Sequence, residues 1–430
     1  VRVKDKEGNM KELLDATSMN WTLSLGFAHP DINYAVYQQM LKLTHVRYNT
    51  LTPSRAKLIN KLADLAPGKL KGGKVAINNE GGGIANEAAM KLALMTSRGA
   101  DNFGVFWGAY HGNSLITGCA SQPIHSVNRF NYLGHGFFTR MPYPYCYRCL
   151  WKYKGGIRGK KDPGCNLECF DLVEGYIKGM APKKFAGIMI EPNQAGGGQI
   201  PAPVEFLKKL KDTCEEENIN LIYDECQTCF WRTGKYFTLT ERYDKEQNID
   251  VSPDMITYTK GIGGGFPLGV LIASPKIRKR FGPSEEHTTF SSNPVLAAAG
   301  LAALRVGEES KLGEKCEKMG QKMTKRFLEM QEEYEVIGDV RGEGLFIGVE
   351  LVKNKDTREP FTELSEEIVL IAPEHGMYLG ESMPILTMRG QILRRNVIKI
   401  KPPLIITESD ADFILDTFEV ILKEAINKLK

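Results

Sequence analysis

The chain has 430 residues, 42% of them hydrophobic and 25% charged, with a formal net charge of +4. That length is too great for one small core and points to two or three units of an ordinary globular protein. There is no dense Lys/Arg block with interleaved aromatics, so no nucleic-acid partner is implied, and no apolar run reaches the ~18 residues of a membrane span. The Lys208 to Lys211 run sits among acids and reads as a solvated helix face. Residues 1–9 are polar and lack the apolar core of a secretory signal. The chain begins with Val1 and not Met, which points to a trimmed N-terminus. Nine cysteines, an odd number, suggest reduced thiols in the cytoplasm.

In chain order, a polar start leads through Glu12 and Asp15 to Trp21. Helical periodicity follows over residues 30–46 and 54–65. Short apolar runs then alternate with amphipathic helices. Strands are expected at 74–77, 103–107, 187–190, 219–223, 255–258 and 268–273, with helices at 86–97 and 204–217. This alternation predicts a large, mostly parallel α/β sheet, with ligands gathering beyond the carboxyl ends of its strands. Residues 140–169 are rich in Pro, Gly, Tyr and Cys, with little periodicity, and read as a long insertion. A long helical stretch at 293–331, strands at 344–352 and 397–400 and a helix at 409–429 form a smaller α+β tail. The expected division is an N-terminal segment 1–50, a large domain 51–300 with the insertion at about 140–170, and a small domain 301–430.

The polar residues with chemistry fall at the strand ends. Lys260 follows an apolar strand and precedes Gly261-Ile262-Gly263-Gly264-Gly265. A desolvated lysine there is a nucleophile for an imine, and glycines leave room for a bulky partner; the alternative is a surface lysine in a glycine turn. Asp224 ends an apolar strand 36 residues earlier. It is either a carboxylate that keeps a ring nitrogen protonated or a helix N-cap. Gly81-Gly82-Gly83 lies between a strand and a helix, where backbone N–H groups receive a phosphate, unless it is only a flexible turn. It lacks the Gly-Lys-Ser/Thr of a nucleotide loop. Tyr110 is placed to stack on a flat ring, and His111 beside it is catalytic or a satisfied hydrogen-bonding residue. Glu191, at another strand end, is grouped with the cofactor contacts. A phosphate turn, a stacking aromatic, a ring-nitrogen carboxylate and a Gly-flanked lysine, in that order, point to pyridoxal phosphate.

The same stretches closely resemble the class-III aminotransferases, the group with ornithine, acetylornithine and 4-aminobutyrate members. Asp224-Glu225-Cys226-Gln227-Thr228 and the residues to Lys235 look like the family's DE-x-Q-T-G-F-G-R-T-G. Residues 253–267 look like its lysine motif, and 287–294 like its T-F-G-G-N-P turn. Gly82-Gly83, Ala85-Asn86-Glu87 and Lys91 look like its phosphate turn and helix. The resemblance covers nearly the whole chain and implies fold type I, with a seven-stranded sheet in the large domain and a small domain built from both chain ends. It implies that Lys260 forms the Schiff base and shuttles the proton, that Asp224 pairs with the pyridinium nitrogen, and that Gln227 lies near the ring oxygen or the ring face. Gly82 and Gly83 bind phosphate, Tyr110 stacks, and Thr289 reaches the phosphate of the neighbouring subunit in a homodimer. The implied reaction moves an amino group from an amino acid or ω-amine to a 2-oxo acid.

The chain departs from the family pattern at several points. Gly81-Gly82-Gly83 replaces a turn that usually carries hydroxyls, and Ser291-Ser292 replaces two glycines. Lys399 stands where many members place a carboxylate-binding arginine, and a lysine is a point charge and not a fork. The ornithine-type glutamate after Glu191-Pro192 is missing. Residues 18–21 and 144–149 resemble a less characterised branch. Racemases or epimerases, decarboxylases and phospho-lyases of the same group share Lys260 and Asp224, so motifs alone leave them as alternatives. A non-catalytic binding protein that kept the fold is another. Trp21 lines the substrate pocket or a core. Arg341 contacts substrate or is structural. Cys146, Cys149, Cys165 and Cys169 have four-thiolate zinc spacing, against free thiols as the plainer reading.

Overall fold

The computed structural model describes residues 2–4, 8–121, 136–153, 162–179, 185–277, 279, 281–282, 285, 288–386 and 392–430. Seven strands form the central sheet: β1 Lys74–Asn78, β2 Asn102–Phe106, β3 Phe138–Met141, β4 Phe185–Ile190, β5 Asn220–Asp224, β6 Met255–Tyr258 and β7 Gly269–Ala273. Their spatial order is β1-β7-β6-β5-β4-β2-β3. Only β7 runs against the rest, pairing antiparallel with β6 and β1. Every residue of β2, β4, β6 and β7 is buried, as a sheet covered on both faces requires.

Helices supply those covers. On one face α3 (Gly82–Thr96) packs Ala88, Ala89 and Leu92 against Met189, Ile222 and Met255. The opposite face takes Leu58 and Leu62 of α2 (Pro53–Leu65), Phe170 and Val173 of α4 (Glu168–Gly179) and Phe206 and Leu210 of α5 (Val204–Glu216). Each such side chain, once buried, contributes roughly 1.5–3 kcal/mol.

A second core joins the two ends of the chain. Ile32 and Val36 of α1 (Pro30–Met40) share it with α6 (Pro294–Glu309), α7 (Leu312–Glu333), the sheet of β8 (Ile337–Glu343), β9 (Phe346–Leu351), β10 (Gly380–Glu381) and β11 (Val397–Ile400), and α8 (Glu408–Lys428). Asn293 caps α6 by accepting from the Val295 N–H (2.8 Å) with Pro294 at the first turn, and Thr407 with Asp410 forms a capping box on α8.

Several boundaries differ from expectation for local reasons. The helix over 30–46 stops at Met40, where Lys42 and Leu43 turn their N–H groups back to the Gln39 carbonyl. The 293–331 stretch is two helices, broken at Lys311 with φ +50°. The insertion is only partly irregular: it supplies the edge strand β3 and leads into α4. β8 escapes a propensity reading because Gly338 and Gly342 interrupt its apolar run.

Candidate active site

The carboxyl ends of the central strands open onto one cavity of about 650 Å³. Nine residues singled out from the sequence line it: Lys260, Asp224, Gly82, Gly83, Tyr110, His111, Gln227, Trp21 and Lys399.

Asp224 ends β5 and is buried. Its Oδ2 accepts from Asn86 Nδ2 (2.8 Å) and meets His111 Nδ1 (2.9 Å), while Oδ1 accepts from the Cys226 N–H (3.0 Å). Burial by itself raises this carboxyl. The His111 hydrogen bond and charge, with the Cys226 contact, outweigh burial and hold it below the ordinary range. Asn86 is in turn fixed by the His111 carbonyl (2.8 Å) and by the Thr257 hydroxyl, which donates to Asn86 Oδ1 (2.6 Å). Sequence reasoning gave Asn86 no role. Its signal was its place one turn after Gly82, on the helix face that meets the sheet.

Lys260 lies two residues beyond β6 and opens the 3₁₀ turn Lys260–Gly263. Its φ of +57° is left-handed, a strained backbone for a residue with a side chain. The fold holds that strain at the cavity, with Thr259 donating to the Leu268 carbonyl (2.8 Å) just before it.

α3 begins at Gly82, one turn earlier than expected, so the Gly-rich turn is itself the helix N-terminus. A Cβ at Gly82 would stand 2.9 Å from Thr259 Cγ2 and 3.0 Å from Cys226 Sγ. The close walls and free N–H groups suit a phosphate. Gly82→Ala should therefore weaken binding of the phosphorylated cofactor about 10-fold or more, read by titrating absorbance of the apoprotein, and should lower Tm as Thr259 and Cys226 give way.

Trp21 reaches the cavity on an unusual support. Ser18–Trp21 is a turn of four non-glycine residues, all with φ between +43° and +68°. Left-handed backbone costs about 1–2 kcal/mol per residue. Asp15 offsets this by accepting from the Thr17 N–H (2.7 Å), the Thr17 hydroxyl (2.7 Å) and the Met19 N–H (2.8 Å). The buried Arg232 adds donors to Ser18 (3.3 Å) and Ser24 (3.2 Å). Lys399 faces the Trp21 ring at 4.7 Å. Burial lowers the Lys399 amine to about 8, with Glu381 and Glu191 pulling back up and Lys260 pushing further down.

Other residues named from the sequence stand outside the cavity. Glu191 does not line the cavity. It is buried behind it, accepting from the Tyr110 N–H (2.9 Å) and the Ala195 N–H (3.0 Å), so it positions the Tyr110 backbone. Burial raises its carboxyl to about 7, with His111 opposing and Asp224 adding to the rise. Arg341 is buried and also outside the cavity. It pairs with Asp339 (2.8 Å) and Glu350 (2.5 Å) and donates to the Gly198 carbonyl (3.0 Å) and the Tyr145 hydroxyl (3.0 Å). Arg148 completes this set on Glu350 (2.6 Å), so the cluster ties the 142–150 loop to the small sheet and holds Arg341 away from the cavity.

Thr289 is exposed and outside this cavity. Next to it, Thr288 donates to Glu80 (2.5 Å), which leads into the glycine turn at Gly81. His287 lies outside the described residues. Cys146, Cys149, Cys165 and Cys169 line one small void, and none is in a disulfide. Among the described residues, no three His, Cys, Asp or Glu side chains form a group able to hold a metal ion. Burial and the neighbouring thiols raise Cys169 to about 12.

The residues fit pyridoxal phosphate. A low-pKa carboxylate suits a protonated ring nitrogen, a glycine-walled helix start suits a phosphate, and His111 Nε2 is buried without a partner beside them. A lysine and a carboxylate at adjacent parallel strand ends, under a three-layer α/β/α fold, define a pyridoxal-phosphate enzyme of fold type I.

Comparison with known proteins gives the family. The class-III aminotransferase family model matches residues 1–422. The leucine/methionine racemase of Thermococcus litoralis is 30% identical over 416 residues, covering 95% of this chain and 86% of that protein. Human mitochondrial alanine–glyoxylate aminotransferase 2 is 31% identical over 446 residues, covering 98% and 82%. Among solved structures, the taurine:2-oxoglutarate aminotransferase of Bifidobacterium kashiwanohense superposes with a TM-score of 0.85 at 24% identity, covering 100% and 92%. The chain belongs to the class-III aminotransferase family, the pyridoxal-phosphate-dependent transaminases. Among the described residues, no helix is long and apolar enough to cross a membrane.

Proposed function

We propose that Lys260 is the group through which this aminotransferase holds its cofactor and moves the substrate proton, and that Asp224 keeps the cofactor's ring nitrogen protonated. One observation carries this reading: the Lys260 side chain, the ionised Asp224 and the helix start at Gly82 and Gly83 line the same cavity. When bound, pyridoxal phosphate takes up the amino group and delocalises the electrons freed at the donor carbon. Gly82 and Gly83 receive the phosphate through backbone N–H groups, Tyr110 covers the ring, and Gln227 faces the ring oxygen. Trp21 and Lys399 meet the substrate. The substrates are a small amino donor and an oxo-acid acceptor.

We propose further that the chain works as a homodimer in the cytoplasm, with Thr289 of the partner subunit at the phosphate. Tyr34, Tyr37 and Met40 on α1, with Leu41, Leu51 and Phe290, expose enough apolar surface to support a subunit contact. The nine cysteines form no disulfide, which supports a reducing compartment.

The test is an absorbance scan of the purified protein against a panel of amino acids and ω-amines. Loss of the cofactor band on adding donor, and its return with an oxo acid, is the expected result. The racemase relative gives the rival outcome a place: many turnovers without any acceptor would replace transamination with racemase chemistry. The lowered Lys399 amine predicts a pH effect. KM for a carboxylate substrate should rise about tenfold per unit above pH ~8, as the amine loses its charge. Lys399→Arg should remove that rise. A KM flat from pH 7 to 10 in the unmodified enzyme would take Lys399 out of substrate binding.

A further inference from the structure

Lys401 was not singled out from the sequence, yet it lies directly behind the site. It follows β11, two residues after Lys399, and strand alternation sends both side chains to the same side. Its side chain is fully buried. The amine donates to Gln227 Oε1 (3.1 Å) and sits 3.2 Å from the centre of the Trp21 ring and 4.8 Å from that of Phe346. Its backbone is held as tightly: the Lys401 N–H donates to the Ala16 carbonyl (2.7 Å), and the Ser18 hydroxyl donates to the Lys401 carbonyl (2.6 Å). The charged groups acting on it are Lys399, Lys260 and Arg232, with Glu191 as the acid. Gln227 and Trp21 line the cavity, whereas Lys401 stands behind them.

The chemistry of the pair decides how Gln227 is turned. A glutamine amide has one accepting end and one donating end of nearly equal shape, and packing alone does not choose between them. Burial, with Lys399, Lys260 and Arg232 close by, lowers the Lys401 amine well below its ordinary value, but charged or neutral it carries N–H donors, and here it donates to Gln227 Oε1 (3.1 Å). With its oxygen taken by Lys401, the amide leaves its NH2 for the cavity. We propose that Lys401 is a positioning residue: it locks Gln227 as a hydrogen-bond donor toward the cavity, aimed at the ring oxygen of the bound cofactor. This rests on the cofactor reading above and adds the device that orients one of its contacts. A fixed donor at that oxygen stabilises its anionic form. The Trp21 ring, over the same amine, couples the N-terminal turn to this lock.

The test is a pH titration of the visible band of the cofactor-loaded protein, with no turnover needed. Four variants are compared with the unmodified enzyme: Lys401→Met, Lys401→Arg, Gln227→Ala and the double variant Lys401→Met/Gln227→Ala. Lys401→Met should raise the band's titration midpoint by about one pH unit, a tenfold change. Lys401→Arg, which keeps a donor for the amide, should stay near the original midpoint. In the Gln227→Ala background, Lys401→Met should add nothing. An unchanged midpoint in Lys401→Met overturns the proposal. So does an equal shift in both backgrounds, which would mean that the charge acts through space and not through the amide. If Lys401→Met does not fold, Lys401→Arg against Gln227→Ala decides: equal shifts in these two also overturn it. Absence of any cofactor band in the unmodified protein overturns the cofactor reading together with this one, and is recognised before any variant is made.

Discussion

Lys260→Ala should leave no borohydride-reducible cofactor adduct and should lower transamination by at least ~10³-fold. A positioned proton-transfer group contributes about 10²–10⁴-fold by itself, and the covalent link is lost with it. The backbone supplies a control. Lys260 sits at φ +57°, so alanine keeps the strain while Lys260→Gly relieves it. The glycine variant should then be more stable than the alanine variant by about 1 kcal/mol, with activity equally lost. Mass spectrometry after reduction and a pair of denaturation curves check both parts. A reducible adduct that persists in Lys260→Ala removes Lys260 from its assigned role.

Asp224→Asn should lower kcat by about 10²–10³-fold with a smaller change in KM, because a charge aimed at the reacting system acts mainly in the transition state. It also strains the site. Oδ2 of Asp224 now faces Asn86 Nδ2 (2.8 Å) and His111 Nδ1 (2.9 Å), and an amide NH2 placed there would oppose the Asn86 donor. Turning the amide over would instead set that NH2 against the Cys226 N–H (3.0 Å). Either way one buried donor loses its acceptor, at roughly 1–3 kcal/mol, and Tm should fall. The pH dependence carries the sign. Asp224 is held below its ordinary value, so its stabilising contribution is present above the unfolded carboxylate range and is lost as pH falls through the lowered folded value. Asp224→Asn should remove that acid-side loss. An Asn variant with kcat within tenfold of the original would sink the ring-nitrogen assignment.

Much of this molecule follows from short-range information. Period-2 and fully apolar runs announce β4, β5, β6 and β7, and the carboxyl ends of the parallel β4, β5 and β6 announce where a ligand lies, since parallel strands leave their strand-end loops on one side. Lys260 among glycines and Asp224 at a strand end are legible for the same reason: each stands at a boundary that the pattern itself marks. Glu191 stands at such a boundary too, and there the pattern misleads. The strand end points it toward the site, but only packing shows that its carboxylate turns to the Tyr110 and Ala195 N–H groups.

The sequence by itself determined the layered fold, the strand ends that meet at the cavity and the chain order of glycine turn, strand-end carboxylate and lysine. Tertiary structure alone decided which side chains face the cavity and which lock them. Asn86 donates to Asp224 across 138 residues, and Lys401 to Gln227 across 174. Arg341 is drawn away from substrate by Asp339 and Glu350. Each of these depends on burying a polar group next to the one partner that satisfies it. That requirement arises only when distant segments pack together and water is excluded, so no local pattern records it.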